Sequence, residues 1–423
     1  MFPAPINLVV LYRTLPLDAR LLFKTRGLRL FAYGMLSVVL ALYLMEIGLN
    51  GNQIGLLLSL TLAGDVVISL GLTNVADRIG RRRILLTGAA LMVFAGVVFS
   101  LTRNFVALTV AAIIGTISPS GNEVGPFLAV EQAALAQSIR DAVRTRAFAW
   151  YSLTGSFTTA LGALCGGALA GEVGRVRGAP VEGYRAVVVC YALLGLALGA
   201  LFARLSPAAE VARSTPTRNP AKSAGLLGLQ HSRNVVFRLS ALFMMDAFAG
   251  GLVVQSLVAY WFHARFGVAP GLIGTIFFGA NIFAGLSALL AASLAARFGL
   301  VKTMVWTHIP SNILLMLIPF MPNLPLAVTI LLARFSISQM DVPTRQSYTI
   351  ALVDPAERSA AAGITNVART GASALAPLVT GRLFGAALMG LPFIVSGSLK
   401  IAYDLVLYRS FRNLKPPEER SSE

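Results

Sequence analysis

The sequence predicts an all-α integral membrane protein with twelve transmembrane helices in two pseudo-symmetric six-helix bundles. Three observations lead there. Hydrophobic residues fill 56% of the 423 positions and charged residues only 13%, about half the charge that coats an ordinary soluble domain. The apolar residues gather into twelve runs of membrane-crossing length, and the second half of the chain repeats the first.

A helix needs about 20 mainly apolar residues to cross a hydrocarbon core about 30 Å thick. Such runs lie at about 28–48, 54–75, 84–101, 105–135, 146–170, 184–203, 236–262, 271–296, 303–321, 325–352, 359–383 and 389–408. The first follows Arg13, Arg20, Lys24, Arg26 and Arg29, too late for a secretory leader. Residues 1–27 are therefore expected to form a cytoplasmic basic arm, either an interfacial helix or a disordered tail. Residues 28–205 form the first bundle and 233–410 the second. The polar stretch 206–232, SPAAEVARSTPTRNPAKSAGLLGLQHS, is a cytoplasmic linker, and 411–423 a cytoplasmic tail.

The formal charge of +17 is explained by topology. With both termini cytoplasmic, the inside segments hold 25 Lys and Arg residues and the outside loops five, the asymmetry that orients multi-pass proteins. Nucleic acid is not needed as a partner. The expected setting is the plasma (inner) membrane, multi-pass, with the lipid bilayer as partner and the chain a monomer.

A shift of 219 residues lays the stretch from Gly55 over that from Gly274 without a gap, matching Ala76 with Ala295, Arg78 with Arg297 and Gly80 with Gly299. A shift of 218 brings Glu123 and Val124 over Asp341 and Val342. Repeated halves of this kind place a substrate site near the bilayer midplane, where the repeats face one another.

Between spans 2 and 3 stands DRIGRRR at 77–83. It resembles motif A of the major facilitator superfamily, G-x-x-x-D-R/K-x-G-R/K-R/K. Asp77, Arg78, Gly80, Arg81 and Arg82 match, while Thr73 replaces the opening glycine. The resemblance implies that superfamily's fold and alternating access. It also implies a latch in which Asp77 meets the cytoplasmic start of span 11 and the arginines meet nearby carboxylates; a carboxylate near a helix N-terminus is favoured by about 0.3–1 kcal/mol. The counterpart ARFGLVK at 296–302 has Ala296 in place of the acid, so a second latch would be weak. In span 5, LGALCGG at 161–167 is similar to motif C of the drug/proton antiporter branch, with Gly162, Gly166 and Gly167 in place and Ala163 where that motif has proline. The equivalent of span 11, LAPLVTG at 375–381, contains Pro377. Glycines so spaced also serve plain close packing of helices.

Other chemistries lack their parts. There is no phosphate-cradling loop, no H-E-x-x-H and no G-x-S-x-G. Cys165 and Cys190 sit in apolar runs and suggest neither a disulfide framework nor a metal site. The expectation is a transporter, not an enzyme, with no cofactor and no metal, driven by an ion gradient or by its substrate's own gradient.

An ionisable side chain at mid-bilayer costs at least about 2.5–3.5 kcal/mol, so those within spans are the site candidates. They are the acids Asp65, Glu123, Glu131, Asp246, Asp341 and Asp404 and the bases Arg334, Arg345, Arg369, Arg382 and Lys400. Lys400 and Asp404, and likewise Asp341 and Arg345, are four residues apart and share a helical face. Glu131 is expected to pair with Arg78, Arg81 or Arg144, and His308 to be packing. Asp65, Glu123 and Asp246, and the bases Arg334 and Arg369, are left as candidates for proton coupling or substrate contact. Burial favours the neutral form of a carboxyl and a neighbouring cation favours the charged form, so Glu123 or Asp246 could alternate between them.

The run 118–126, with two prolines and two glycines, is expected to break span 4, either to line a cavity or only to shape the bundle. Asn122, Asn281 and Tyr33 are further cavity candidates. The expected function is secondary transport of a small organic molecule, most simply proton-coupled efflux. The alternatives are an uptake symporter or facilitator for an organic anion held by Arg334, Arg345 and Arg369, or a lipid-handling or receptor protein on the same fold.

Overall fold

A computed structural model describes residues 15–139, 141–207, 210, 232–354 and 357–411. The arm up to residue 14, most of the linker and the tail lie outside the described residues. Every regular element among the described residues is helical.

Span 1 is Leu17–Glu46, span 2 Gly51–Ile79 and span 3 Arg81–Leu101. Span 4 comprises Phe105–Ile114 and Phe127–Ser138; spans 5 and 6 are Asp141–Arg177 and Pro180–Phe202. Span 7 is Arg233–Gly251 and Gln255–Phe266, span 8 Pro270–Phe298 and span 9 Leu300–Leu317. Span 10 comprises Leu324–Phe335 and Asp341–Leu352; spans 11 and 12 are Arg358–Gly385 and Leu391–Phe411. Nine of these are long and apolar enough to cross a bilayer unaided. Spans 4 and 10 fall short as pairs of helices of ten to twelve residues, and span 11 because polar side chains such as Asn366, Arg369 and Thr370 interrupt it.

The first span begins ten residues before the expected edge of the arm. Residues 17–27 are helical and continuous with it, which departs from an arm reaching residue 27. Arg26 and Arg29 are buried rather than solvated, because carboxylates of span 4 neutralise them.

Two compact units form. The first consists of residues 1–47, 64–215 and 269–278, the second of 48–63, 216–268 and 279–423. In the first, span 1 packs along spans 5 and 6, and span 3 along span 6. In the second, the first half of span 7 packs along spans 11 and 12, and span 9 along span 12. The pairings are the same once six is added to each number, so the sequence repeat is also a repeat of packing.

Lipid tails are as apolar as leucine, so helices here associate through close contact and polar groups rather than by escaping water. A Cβ on Gly34 would collide with the Thr159 backbone, and one on Gly162 with the Phe31 carbonyl. Large apolar side chains such as Leu101, Val67 and Trp306 are left on the outside, as a lipid-facing surface requires.

The turns repeat as well. Gly80 and Gly299 are each the sole residue between two helices, with φ of 110° and 85°. Each donates its N–H to an alanine carbonyl four residues back, Ala76 and Ala295, at 2.9 Å. A side chain at such φ is strained, which is the physical reason for glycine at both repeat-related positions.

Candidate functional site

The first unit encloses a charge cluster built by spans 1, 4 and 5. Arg26 and Arg29, three apart on span 1, point toward the two carboxylates of span 4. Arg29 forks onto Glu131 through Nη1 and Nη2 at 2.8 and 2.7 Å, and both side chains are completely shielded. Thr25 Oγ1 donates to Glu131 at 2.8 Å and the Tyr151 hydroxyl donates to it as well. Glu123 accepts from Arg26 Nη1 at 2.5 Å and from Arg29 Nε and Nη2 at 3.2 Å. Aromatic faces flank the guanidinium groups, Tyr151 at 4.3 Å from Arg26 and Phe127 at 4.6 Å from Arg29. Two cations and two carboxylates balance, and Glu123 is the most open member at 16% side-chain exposure.

Two sequence expectations change here. Glu131 pairs with Arg29, not with Arg78, Arg81 or Arg144, because the long first helix brings Arg29 to the same depth. Arg26 and Arg29, counted by sequence as topology signals, belong to the membrane interior. Their spacing of three residues beside an apolar run was the available signal.

The break in span 4 is a built feature. Gly121 and Gly125 take positive φ of 71° and 80°, and the freed backbone groups find side-chain partners. Asp65 Oδ1 accepts from the Gly125 N–H at 2.5 Å and from Ser69 Oγ at 3.0 Å. Ser118 Oγ donates to the Asn122 carbonyl at 2.7 Å and Tyr33 OH to that of Val124 at 3.3 Å. Tyr191 serves the Thr116 carbonyl. Irregular backbone at membrane depth is tolerated when buried groups satisfy it in this way. Asp65 therefore holds the break in place, and the Asn122 side chain is exposed.

The second unit holds a larger cluster. Asp246 on span 7 accepts from Lys400 Nζ at 2.6 Å and from Arg345 Nη1 at 2.9 Å. Arg345 Nη1 also reaches Asp341 at 3.0 Å. His308 Nδ1 lies 2.9 Å from Asp404 Oδ1, and His308 Nε2 lies 4.0 Å from Asp246 Oδ1. The expected pair of Asp341 with Arg345 is present. Lys400 is not paired with Asp404: it turns to Asp246, and Asp404 takes His308 with Asn312 Nδ2 at 3.5 Å. His308 is thus a hydrogen-bonding partner of Asp404 rather than packing, because spans 7, 9 and 12 converge there, a fact no single-helix spacing encodes.

Arg369 lies in span 11 within electrostatic reach of Arg345, Asp246 and Asp341. Arg334, at the end of the first half of span 10, has a buried Nε without a hydrogen-bond partner. Asn281 Nδ2 donates to Gln255 at 3.2 Å. Arg382 lines an open cleft with Asn52, Leu56 and Leu378.

Within the motif A stretch, the Asp77 side chain lies outside the described residues, and Arg78 is exposed. Glu210 accepts from the backbone N–H groups of Arg81 and Arg82 at 2.6 and 3.0 Å, so a carboxylate caps the N-terminus of span 3. Arg81 Nη1 donates to Gln137 at 2.7 Å and Arg82 Nη2 to the Ala203 carbonyl at 2.6 Å. Sequence reasoning missed Glu210 because it lies 129 residues from Arg81.

The motif C-like glycines sit at backbone contacts. Gly162 and Gly166 lie against Phe31 and Met35 of span 1, and Gly167 against Pro270 and Gly274. Pro377 is inside the span 11 helix, where a carbonyl loses its partner. Beside it, Leu378 N–H donates to Ser59 Oγ at 2.8 Å, and Thr380 Oγ1 donates to the Leu252 carbonyl, at the break of span 7, at 2.7 Å.

Twelve helical crossings in two repeated units, each with clasped charges at membrane depth, define a multi-pass secondary transporter. The chain belongs to the major facilitator superfamily: residues 23–264 match that family's sequence profile. It is 32% identical over 417 residues to the uncharacterized membrane protein YJR124C of Saccharomyces cerevisiae, covering 92% of this chain and 93% of that one. The quinolone resistance protein NorA of Staphylococcus aureus is 31% identical over 85 residues, 20% of this chain and 22% of NorA. Among solved structures, a bacterial homologue of the human lysosomal transporter Spinster superposes with a TM-score of 0.74 at 17% identity, over 95% of this chain and 98% of that one.

Proposed function

We propose that this transporter exports a small organic solute in exchange for protons, by alternating access, with both termini cytoplasmic. The observation that carries the reading is Glu123, a carboxylate shared by Arg26 and Arg29 and the most accessible member of an otherwise largely buried cluster. The cluster is neutral while Glu123 is ionised. When Glu123 takes a proton, Arg29 keeps Glu131 but Arg26 loses the carboxylate it bonds among the described residues, and one positive charge is left unbalanced. Unbalanced charge at this depth is costly, so gaining or losing the proton biases which conformation is stable. Asp246 of the second unit, clasped by Lys400 and Arg345, is the second candidate for the proton. The direction is supported by the similarity of an 85-residue stretch to a drug-resistance protein and by the glycine run of span 5. The cytoplasmic termini are supported by the distribution of basic residues.

The test is transport in proteoliposomes under an imposed pH gradient, with a panel of radiolabelled organic solutes. Wild type should move its solute against the inward proton gradient. Glu123→Gln and Asp246→Asn should lose gradient-driven accumulation while retaining solute exchange at equal pH. Unchanged proton coupling in both variants would overturn the proposal, and accumulation alongside protons would establish uptake instead.

A further inference from the structure

The charges of the second unit do not balance among themselves. Its membrane-embedded carboxylates are all engaged: Asp246 by Lys400 and Arg345, Asp341 by Arg345, and Asp404 by His308. Three guanidinium groups remain without an ion pair to any described residue; Arg382 is exposed on the open cleft, which leaves Arg369 and Arg334 inside the unit. Arg369 lies eleven residues into the 28-residue helix of span 11, near its middle, and is partly accessible. Arg334 ends the first half of span 10 just before the break, with its Nε buried and unsatisfied. Both lie within electrostatic reach of Asp341, so they serve one region of the unit. The first unit has no such surplus among its described residues, since Arg26 and Arg29 are matched by Glu123 and Glu131.

We propose that Arg369, assisted by Arg334, binds an anionic group of the transported solute. The inference rests on the transporter reading and not on the proton-coupling residue. A guanidinium left unpaired at mid-membrane persists where a counter-ion arrives from outside the fold. Its planar fork of donors matches a carboxylate or phosphate with two parallel hydrogen bonds. The neighbouring Asp341 and Asp246 temper the positive charge of the empty site, and they repel an anion that does not reach the two arginines. They also repel little that is uncharged, so selectivity should show as anion over cation of equal shape.

The experiment uses four probes of similar size: benzoate, phenyl phosphate, benzylamine and benzyl alcohol. Each is titrated into the purified full-length protein in detergent while the unfolding temperature is recorded, because a ligand that binds only the folded state raises it. Benzoate or phenyl phosphate should stabilise the wild type and benzylamine should not; which of the two anions does so separates a carboxylate site from a phosphate site. Arg369→Gln should weaken the apparent anion affinity about tenfold or more, Arg334→Gln should weaken it less, and Arg369→Lys should restore part of it. Arg265→Gln, at an exposed guanidinium in the last turn of span 7, should leave anion binding intact, and binding in detergent is read without a pH gradient, so the two proposals can fail separately. No preference for anions over benzylamine, or an anion response kept in Arg369→Gln, overturns the inference.

Discussion

Arg29 and Glu131 meet through a two-pronged hydrogen bond with both side chains completely shielded from solvent. Removing one partner of such a pair strands the other charge, at a cost of about 3–5 kcal/mol. Arg29→Gln and Glu131→Gln should each lower the unfolding temperature of the detergent-solubilised protein markedly. The double variant Arg29→Met with Glu131→Leu should be less destabilised than either single change. A double variant as damaged as the sum of the two would show that Arg29 and Glu131 are not energetically coupled.

Lys400 should couple energetically to Asp246 and not to Asp404. A double-mutant cycle with Lys400→Met, Asp246→Asn and Asp404→Asn reads this directly in unfolding free energies. The expected interaction energy is about 0.5–3 kcal/mol for the pair in contact and close to zero for the other. The reverse ranking would place the ammonium on the helix-local partner that spacing alone suggests.

Gly80 and Gly299 should respond alike to substitution. Each turn needs positive φ, and a side chain held there costs on the order of 1–3 kcal/mol. Alanine at either position should lower stability to a similar degree, measured by chemical denaturation in detergent. A tolerated Gly299→Ala beside a damaging Gly80→Ala would assign the second turn a freedom its backbone angle of 85° does not suggest.

Glu210 should matter through the backbone it caps. Glu210→Ala removes both hydrogen bonds at the start of span 3 and should cost about 0.5–2 kcal/mol. Glu210→Gln keeps an acceptor and should cost less. Hydrogen exchange at the Arg81 and Arg82 amides is the local readout: faster exchange in the alanine variant is expected, and unchanged exchange would remove the cap from the account.

What the sequence made legible follows from what each signal measures. Run length is local, so the twelve crossings, the repeat and the break of span 4 at 118–126 could all be read along the chain. The break of span 7 after Gly250 and Gly251 was missed, since an apolar run continues through it and only two adjacent glycines mark it. Side-chain partners were harder. Asp341 and Arg345 were found because they are four apart on one helix. Arg26 with Glu123, separated by 97 residues, and Lys400 with Asp246, separated by 154, come together only through packing between helices. Spacing along one helix therefore leads Glu131 and Asp404 to partners other than Arg29 and His308, and leaves His308 as packing.

The distance along the chain between Arg29 and its carboxylates also has a consequence for biogenesis. Glu123 emerges 94 residues after Arg29, about 5–20 s later at a synthesis rate of about 5–20 residues per second. Throughout that interval Arg26 and Arg29 lack the carboxylates that bind them in the fold, and entry of two bare guanidinium groups into hydrocarbon is disfavoured. Span 1 would thus wait at the headgroup level or beside the translocation machinery until span 4 is made. A nascent chain truncated before residue 123 should leave its first helix shallow and extractable, while one carried past Glu131 should seat it firmly.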